Sequence, residues 1–234
     1  MDHYLAALVN EMQTLRRVSP FLKGPLPPIG TIYFGGGTPS LFGGKRIACL
    51  LDTIASRFSV TENPEITVEA NPSSTDAAFL SAIHSAGANR LSLGLQSAVD
   101  AERKALGRQS GAKETSQAIE KAIQAGFSRL SLDLMIGIPK QTPESLAKSL
   151  SFCLSSGAGH ISAYLLQIEE GTVFYKRRNT LSLPEEDTQC QLYFQLCETL
   201  RDAGFCHYEI SNFAKPNEES RHNLNYWRCG SYLG

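Results

Sequence analysis

Gly35-Gly36-Gly37-Thr38-Pro39 is the stretch of this 234-residue chain whose residue types could do chemistry most directly. Three glycines leave amides and carbonyls uncovered by Cβ atoms, so a ligand can approach the main chain closely. Read from the residues alone, a phosphate or a nucleotide is the first ligand such a loop suggests. Polar residues also close other apolar runs. Glu69 follows Ile66 and Val68, Gln96 follows Leu91, Leu93 and Gly94, and Asp133 sits between Leu132 and Leu134. Each of them alone could simply close a structural hydrogen bond at a strand end. Together with the glycine loop, on successive runs, they suggest one rim whose carboxylates and amide hold ribose hydroxyls. Arg108, after Leu106-Gly107, is a solvated surface arginine or a planar fork for a ligand carboxylate.

These groups need a scaffold, and the hydrophobic periodicity supplies one. Apolar runs at 31–34, 65–70, 90–95, 129–136 and 160–168 read as strands, and amphipathic stretches at 3–17, 45–58, 75–86, 112–125, 143–155 and 185–203 read as helices. Leu5, Leu8, Val9, Met12 and Leu15 form a helical apolar stripe, as do Ile47, Leu50, Leu51, Ile54 and Ala55. Gly87 and Gly126 sit just past helix ends, where a left-handed backbone is wanted. Thr142-Pro143-Glu144 reads as an N-cap, a proline in the first turn and an acidic start. Strand and helix alternate, which predicts an α/β fold with parallel strands inside and helices outside. Ligand groups are then expected at the C-terminal ends of the strands. Residues 20–30 and 212–221 read as loops, and the whole of 1–234 as one domain.

Composition narrows the function classes. Hydrophobic residues make up 42%, enough for a sizeable core, and the formal net charge of −1 does not point to a nucleic-acid partner. No apolar run is long enough for a transmembrane segment, and the first residues do not read as a signal peptide, so the expected localisation is cytoplasmic. The cysteines are Cys49, Cys153, Cys190, Cys197, Cys206 and Cys229, and the nearest pair is seven residues apart. That spacing gives no local metal motif, and the thiols are expected to be reduced and mostly buried.

At this point the motifs carry a resemblance. Tyr33-Phe34-Gly35-Gly36-Gly37-Thr38-Pro39-Ser40 resembles the glycine motif of the radical SAM group that contains oxygen-independent coproporphyrinogen III oxidases and HemW heme chaperones. Glu69-Ala70-Asn71-Pro72, the run from Arg90 to Ser97, Leu106-Gly107-Arg108 and the run from Leu132 to Pro139 resemble that group's later motifs, in order. His222-Asn223-Leu224-Asn225-Tyr226-Trp227 fits HNxxYW, typical of the HemW branch. The resemblance covers essentially the whole chain. It implies a partial (β/α) barrel of the radical SAM type that binds S-adenosylmethionine (SAM). Gly36, Gly37 and Thr38 would contact its methionine end, Glu69, Gln96 and Asp133 its ribose and amino group, and Arg108 its carboxylate. It further implies heme or porphyrin as a partner, with His222 near it, and a heme-acceptor protein.

The chain also departs from that pattern. The family's CxxxCxxC, whose thiolates hold a [4Fe–4S] cluster, does not occur in it, and no cysteine present can replace those ligands. Cys49, Cys153 and Cys197 are expected within apolar helical faces. The first strand, the cluster loop and the C-terminal domain of the family are also missing, so the chain reads as a fragment with Met1 an internal start. A partial barrel would leave an unpaired edge at 31–34. The leading expectation is the SAM-binding core of a HemW-like heme chaperone. Alternatives are the oxidative decarboxylation of coproporphyrinogen III, a cluster-free ligand-binding paralogue, and a phosphate-binding barrel enzyme that would want a basic residue beside the glycine loop.

Overall fold

The computed structural model describes residues 1–18, 24 and 26–234. The loop expected at 20–30 falls outside the described residues at 20–23 and 25. Seven strands form one sheet: β1 (Ile29–Phe34), β2 (Val60–Ala70), β3 (Arg90–Gln96), β4 (Arg129–Ile136), β5 (His160–Leu165), β6 (Cys206–Glu209) and β7 (Asn212–Ala214). Their spatial order is β1-β2-β3-β4-β5-β7-β6. Strands β1 to β5 are parallel neighbours in chain order, and β7 pairs antiparallel with both β5 and β6. The helices are α1 (Asp2–Val18), α2 (Pro39–Phe42), α3 (Gly44–Arg57), α4 (Ala77–Ser85), α5 (Asp100–Ala105), α6 (Ala112–Gln124), α7 (Pro143–Ser155), α8 (Val173–Arg177), α9 (Glu186–Asp202) and α10 (Arg221–Trp227).

Alternation along each strand divides the sheet into two faces. Ile66, Val68 and Ala70 of β2, Leu91, Leu93 and Leu95 of β3, and Leu130, Leu132, Leu134 and Ile136 of β4 enter the core. There they meet Ile47, Leu80, Ile83, Ala118, Leu146, Leu150, Leu192, Leu196 and Leu200 from the helices. The other face is polar. It carries Thr31 and Tyr33, then Glu65, Thr67 and Glu69, then Arg90, Ser92 and Gln96, then Arg129, Ser131 and Asp133. A sheet covered by helices on one side and polar on the other sends its chemistry to the uncovered side.

The caps follow the chemistry of their residues. Gly87 and Gly126 adopt φ of 105° and 102° just past α4 and α6. The Thr142 hydroxyl accepts from the Ser145 amide at 3.2 Å at the start of α7. Three expectations are corrected. Residues 212–214 are not loop: Asn212, Phe213 and Ala214 form β7, buried inside the sheet, with Phe213 in the core. Polar Asn212 and a three-residue length hid that strand from a periodicity reading. The expected strand at 160–168 stops at Leu165: β4 pairs with it as far as Leu165, and β7 only as far as Ser162. Cys49 is exposed, as are Cys190, Cys206 and Cys229, so the thiols are not mostly buried. Cys49 belongs to α3, but its neighbours Ile47, Leu50 and Leu51 carry the buried stripe and turn it outward.

Strand β1 is the sheet edge, as expected, with α10 packed along it. The stripe of α1 is half-buried at Leu5, Leu8, Val9, Met12 and Leu15, where that helix lies on α3.

Candidate functional site

The glycine loop leaves β1 at the C-terminal edge of the sheet. Gly36 and Gly37 have φ of 82° and 60°, a left-handed backbone that side chains with a Cβ rarely adopt. A Cβ built on either one meets nothing within 4 Å, so open space lies over the main chain where a ligand would approach. Thr38 caps the short helix α2 without a side-chain capping bond, which leaves its hydroxyl unused there.

Glu69, on the adjoining strand, organises this loop. Its Oε2 accepts from the Gly36 amide at 3.3 Å, and its Oε1 accepts from the Tyr33 hydroxyl at 2.7 Å. Burial and the Glu69 charge raise the Tyr33 phenol well above its ordinary range, so it stays a donor. Asn71, two residues on, ties three loops together. Its side chain accepts from the Ser73 amide at 3.1 Å and from the Ser110 hydroxyl at 2.8 Å, and its amide donates to Ser40 Oγ at 3.1 Å. The Ser110 bond brings the segment that carries Arg108 over the end of β2. Arg108 itself is exposed and follows Gly107, whose φ is 71°.

Gln96 ends β3 in the left-handed region at φ 66°, next to a break in pairing register between Gly94 and Gln96. A non-glycine residue held there is strained, and such strain tends to mark a functional position. Its side-chain nitrogen folds to 3.1 Å from where a Cβ of Gly94 would lie, so a side chain at position 94 would push the Gln96 amide aside. Asp133 accepts from Ser92 Oγ at 3.0 Å. Burial, with a contribution from the Glu69 charge, pushes the Asp133 carboxyl up to about 7, against the Ser92 hydrogen bond. Asp133 can therefore donate or accept near neutrality. The structure thus brings Gly36, Gly37, Thr38, Glu69, Gln96 and Asp133 to one end of the sheet, with Arg108 on the adjoining loop.

His222 is not on that rim. It lies in α10, beside the middle of β1, where its Nδ1 is 2.9 Å from Thr31 Oγ1. Its ring stacks on Tyr33 at 5.0 Å and meets Tyr226 edge-on at 5.1 Å. Burial lowers its pKa, with Glu65 acting the other way, so the imidazole is neutral over most of the physiological range. If Nδ1 donates to Thr31, the Nε2 lone pair is available to a metal. The start of α10 is pinned by Glu65, which accepts from the His222 amide at 3.0 Å, the Arg221 amide at 3.1 Å and Arg129 at 2.9 Å.

Tyr33, Glu65 and Arg129 are site residues that the sequence reading missed. The signal was present for Glu65: Glu65, Thr67 and Glu69 alternate along one strand, so a functional Glu69 puts Glu65 on the same face. Arg90 adds a further case, an arginine 3% exposed on that polar face.

A family model described as "Radical SAM superfamily" matches residues 13–153. The chain belongs to the radical SAM superfamily. Curated relatives include the heme chaperone HemW of Escherichia coli (strain K12), 39% identical over 233 residues that cover all of this chain and 60% of that protein. HemW of Mycobacterium tuberculosis (strain H37Rv) is 37% identical over 235 residues, all of this chain and 59% of that protein. A mitochondrial radical S-adenosyl methionine domain-containing protein 1 from Mus musculus is 39% identical over 229 residues, 97% of this chain and 51% of that protein. The chain thus spans about half to three-fifths of the length of the curated relatives it matches. Among solved structures, the coproporphyrinogen III oxidase HemN of Escherichia coli superposes with a TM-score of 0.80 at 22% identity, covering 97% of this chain and 51% of that one. That likeness establishes the fold as the mostly parallel half-barrel of radical SAM proteins, with the polar face inside.

Radical SAM chemistry implies SAM and a [4Fe–4S] cluster, and the two fare differently against these residues. SAM fits: an open glycine cradle, two carboxylates and an amide share one rim. A cluster does not. CxxxCxxC does not occur in the 234 residues, and among the described residues no group of three or more His, Cys, Asp or Glu side chains is placed to hold a metal ion. Burial pushes the Cys153 thiol up to about 12, which makes it a poor thiolate ligand.

Proposed function

We propose that this chain is the SAM-binding core of a HemW-like heme chaperone. The observation that carries the reading is the glycine cradle: Gly36 and Gly37 expose their backbone to open space while Glu69 holds the Gly36 amide from the neighbouring strand. In this reading Gly36, Gly37 and Thr38 receive the methionine end of SAM through backbone and hydroxyl groups. Glu69, Gln96 and Asp133 hold its ribose and amino group, and Arg108 closes on its carboxylate. SAM, when bound, supplies a source of radical chemistry only alongside a cluster, and no step through a cluster is assigned to this chain. Calorimetric titration with SAM tests the reading. One binding event that disappears in Gly36→Val supports it, and no heat with the unmodified chain overturns it.

Heme is the cargo in this reading, with His222 as the candidate iron ligand. A porphyrin needs an apolar platform beside the ligand, and α10 with the segment after it offers one: Tyr226 touches the His222 ring, and Trp227 and, beyond the helix, Tyr232 are 56% and 62% exposed. The names of the bacterial relatives support the heme-chaperone reading over the oxidase one, and a heme-acceptor protein follows from it. We propose a cytoplasmic location on the ground that six free thiols suit a reducing compartment.

A further inference from the structure

One side chain touches both candidate sites. The Tyr33 hydroxyl donates to Glu69 Oε1 at 2.7 Å, within the short range of a bond to a carboxylate. The other oxygen of that carboxylate holds the Gly36 amide in the glycine cradle. The ring of the same tyrosine stacks on His222 at 5.0 Å, with the planes 27° apart. His222 is held on its far sides by Thr31 through Nδ1, by Tyr226 edge-on, and by Glu65 through its backbone.

We propose that Tyr33 is a positioning residue that couples the glycine cradle to His222, so that occupancy of one site changes ligand affinity at the other. This rests on the reading of the two sites given above. A phenol is rigid from its oxygen to its ring, so the hydroxyl cannot move without moving the ring face. Glu69 is the shared acceptor. A ligand in the cradle that donates to Glu69, or displaces the Gly36 amide from it, changes the position and charge demand of the carboxylate to which Tyr33 is tied. The stacked imidazole then changes orientation relative to Thr31 and to anything bound at its Nε2. The remaining supports of His222 come from outside the cradle, which leaves Tyr33 as the side chain that bonds to Glu69 and touches the imidazole.

Coupling of this kind is reciprocal. If SAM changes the hemin Kd by some factor, hemin changes the SAM Kd by the same factor, typically about five- to 150-fold. The experiment measures the hemin Kd by absorbance with and without saturating SAM, and the SAM Kd by calorimetry with and without hemin, on the unmodified chain and on Tyr33→Phe. The expected result is a matching factor of at least about fivefold in both directions for the unmodified chain. In Tyr33→Phe, which keeps the ring but loses the hydroxyl, that factor falls towards one. The ratio of two Kd values on one folded protein is a quantity that a merely structural tyrosine would not move. Two results overturn the inference: SAM and hemin that both bind but ignore each other, or a Tyr33→Phe chain that keeps the full factor. A chain that binds neither ligand defeats the functional reading itself, and the inference with it.

Discussion

Replacing Glu65 with alanine removes one acceptor from three donors. The carboxylate is wholly buried, and it takes the Arg129 guanidinium at 2.9 Å together with the Arg221 and His222 amides at 3.1 and 3.0 Å. Arg129 keeps some compensation, because Glu218 lies 3.4 Å away, the Glu219 carbonyl accepts at 2.9 Å, and the side chain is 22% exposed. The two amides at the start of α10 keep none from Glu65. Breaking a buried ion pair by removing one partner costs about 3–5 kcal/mol, and the residual partners of Arg129 place this case near about 3. For a chain of this size that is a fall in Tm of roughly 6–12 °C. Thermal unfolding of Glu65→Ala and Glu65→Gln measures it. A double-mutant cycle with Arg129→Met separates the ion pair from the helix-capping bonds and should show a coupling of about 0.5–3 kcal/mol. The glutamine variant, which keeps an acceptor oxygen but no charge, should fall between wild type and alanine. An alanine variant that unfolds within about 0.5 kcal/mol of wild type would refute the argument, since surface changes commonly stay in that range.

Four further outcomes follow from the site. Gly36→Val should abolish SAM binding, because a β-branched residue is strained at φ 82° and fills the approach to the main chain; unchanged affinity would remove the loop from the site. Asp133 titrates near 7 in the fold against an ordinary 3.8, so the folded chain holds its proton more tightly and the group's contribution to stability is lost as pH rises through 7. Asp133→Asn should therefore raise Tm at about pH 8 and flatten the profile between about pH 4 and 7, and a variant with the wild-type slope would contradict this. His222→Ala should weaken hemin binding and shift its absorption spectrum. In the unmodified chain, protonation should release hemin only below the ordinary imidazole range, because burial lowers the His222 pKa, and an unshifted spectrum in the variant would leave the residue structural. Anaerobic iron–sulfide treatment of this polypeptide should yield no stoichiometric cluster, and a stable one would overturn the reading of its cysteines.

Much of the scaffold was legible because it obeys simple periods. Leu91, Leu93 and Leu95 alternate into a core, and Thr142-Pro143 and Gly126 mark helix ends by chemistry that needs no tertiary partner. Strand β7 was not legible, because three residues beginning with asparagine carry no period, and their burial is decided by β5 and β6 on either side. The exposure of Cys49 was lost for a similar reason: it stands beside an apolar stripe without belonging to it. At the site, strand-end polar residues were readable as candidates one by one. Their convergence came from parallel register, which sets Glu69 opposite Ser92 and Gly94 opposite Asp133. The role of Tyr33 was hidden because it depends on contacts 36 residues ahead at Glu69 and far along the chain at His222.

The measurement closest to the central claim is an amide-resolved NMR titration of the chain with SAM. Saturable shifts are expected at Gly36, Gly37, Thr38, Glu69, Gln96, Asp133 and the Arg108 loop, with smaller shifts reaching His222. Shifts confined to other surfaces, such as the exposed apolar residues Tyr164, Leu165 and Ile210, would contradict it, as would a spectrum that SAM leaves unchanged.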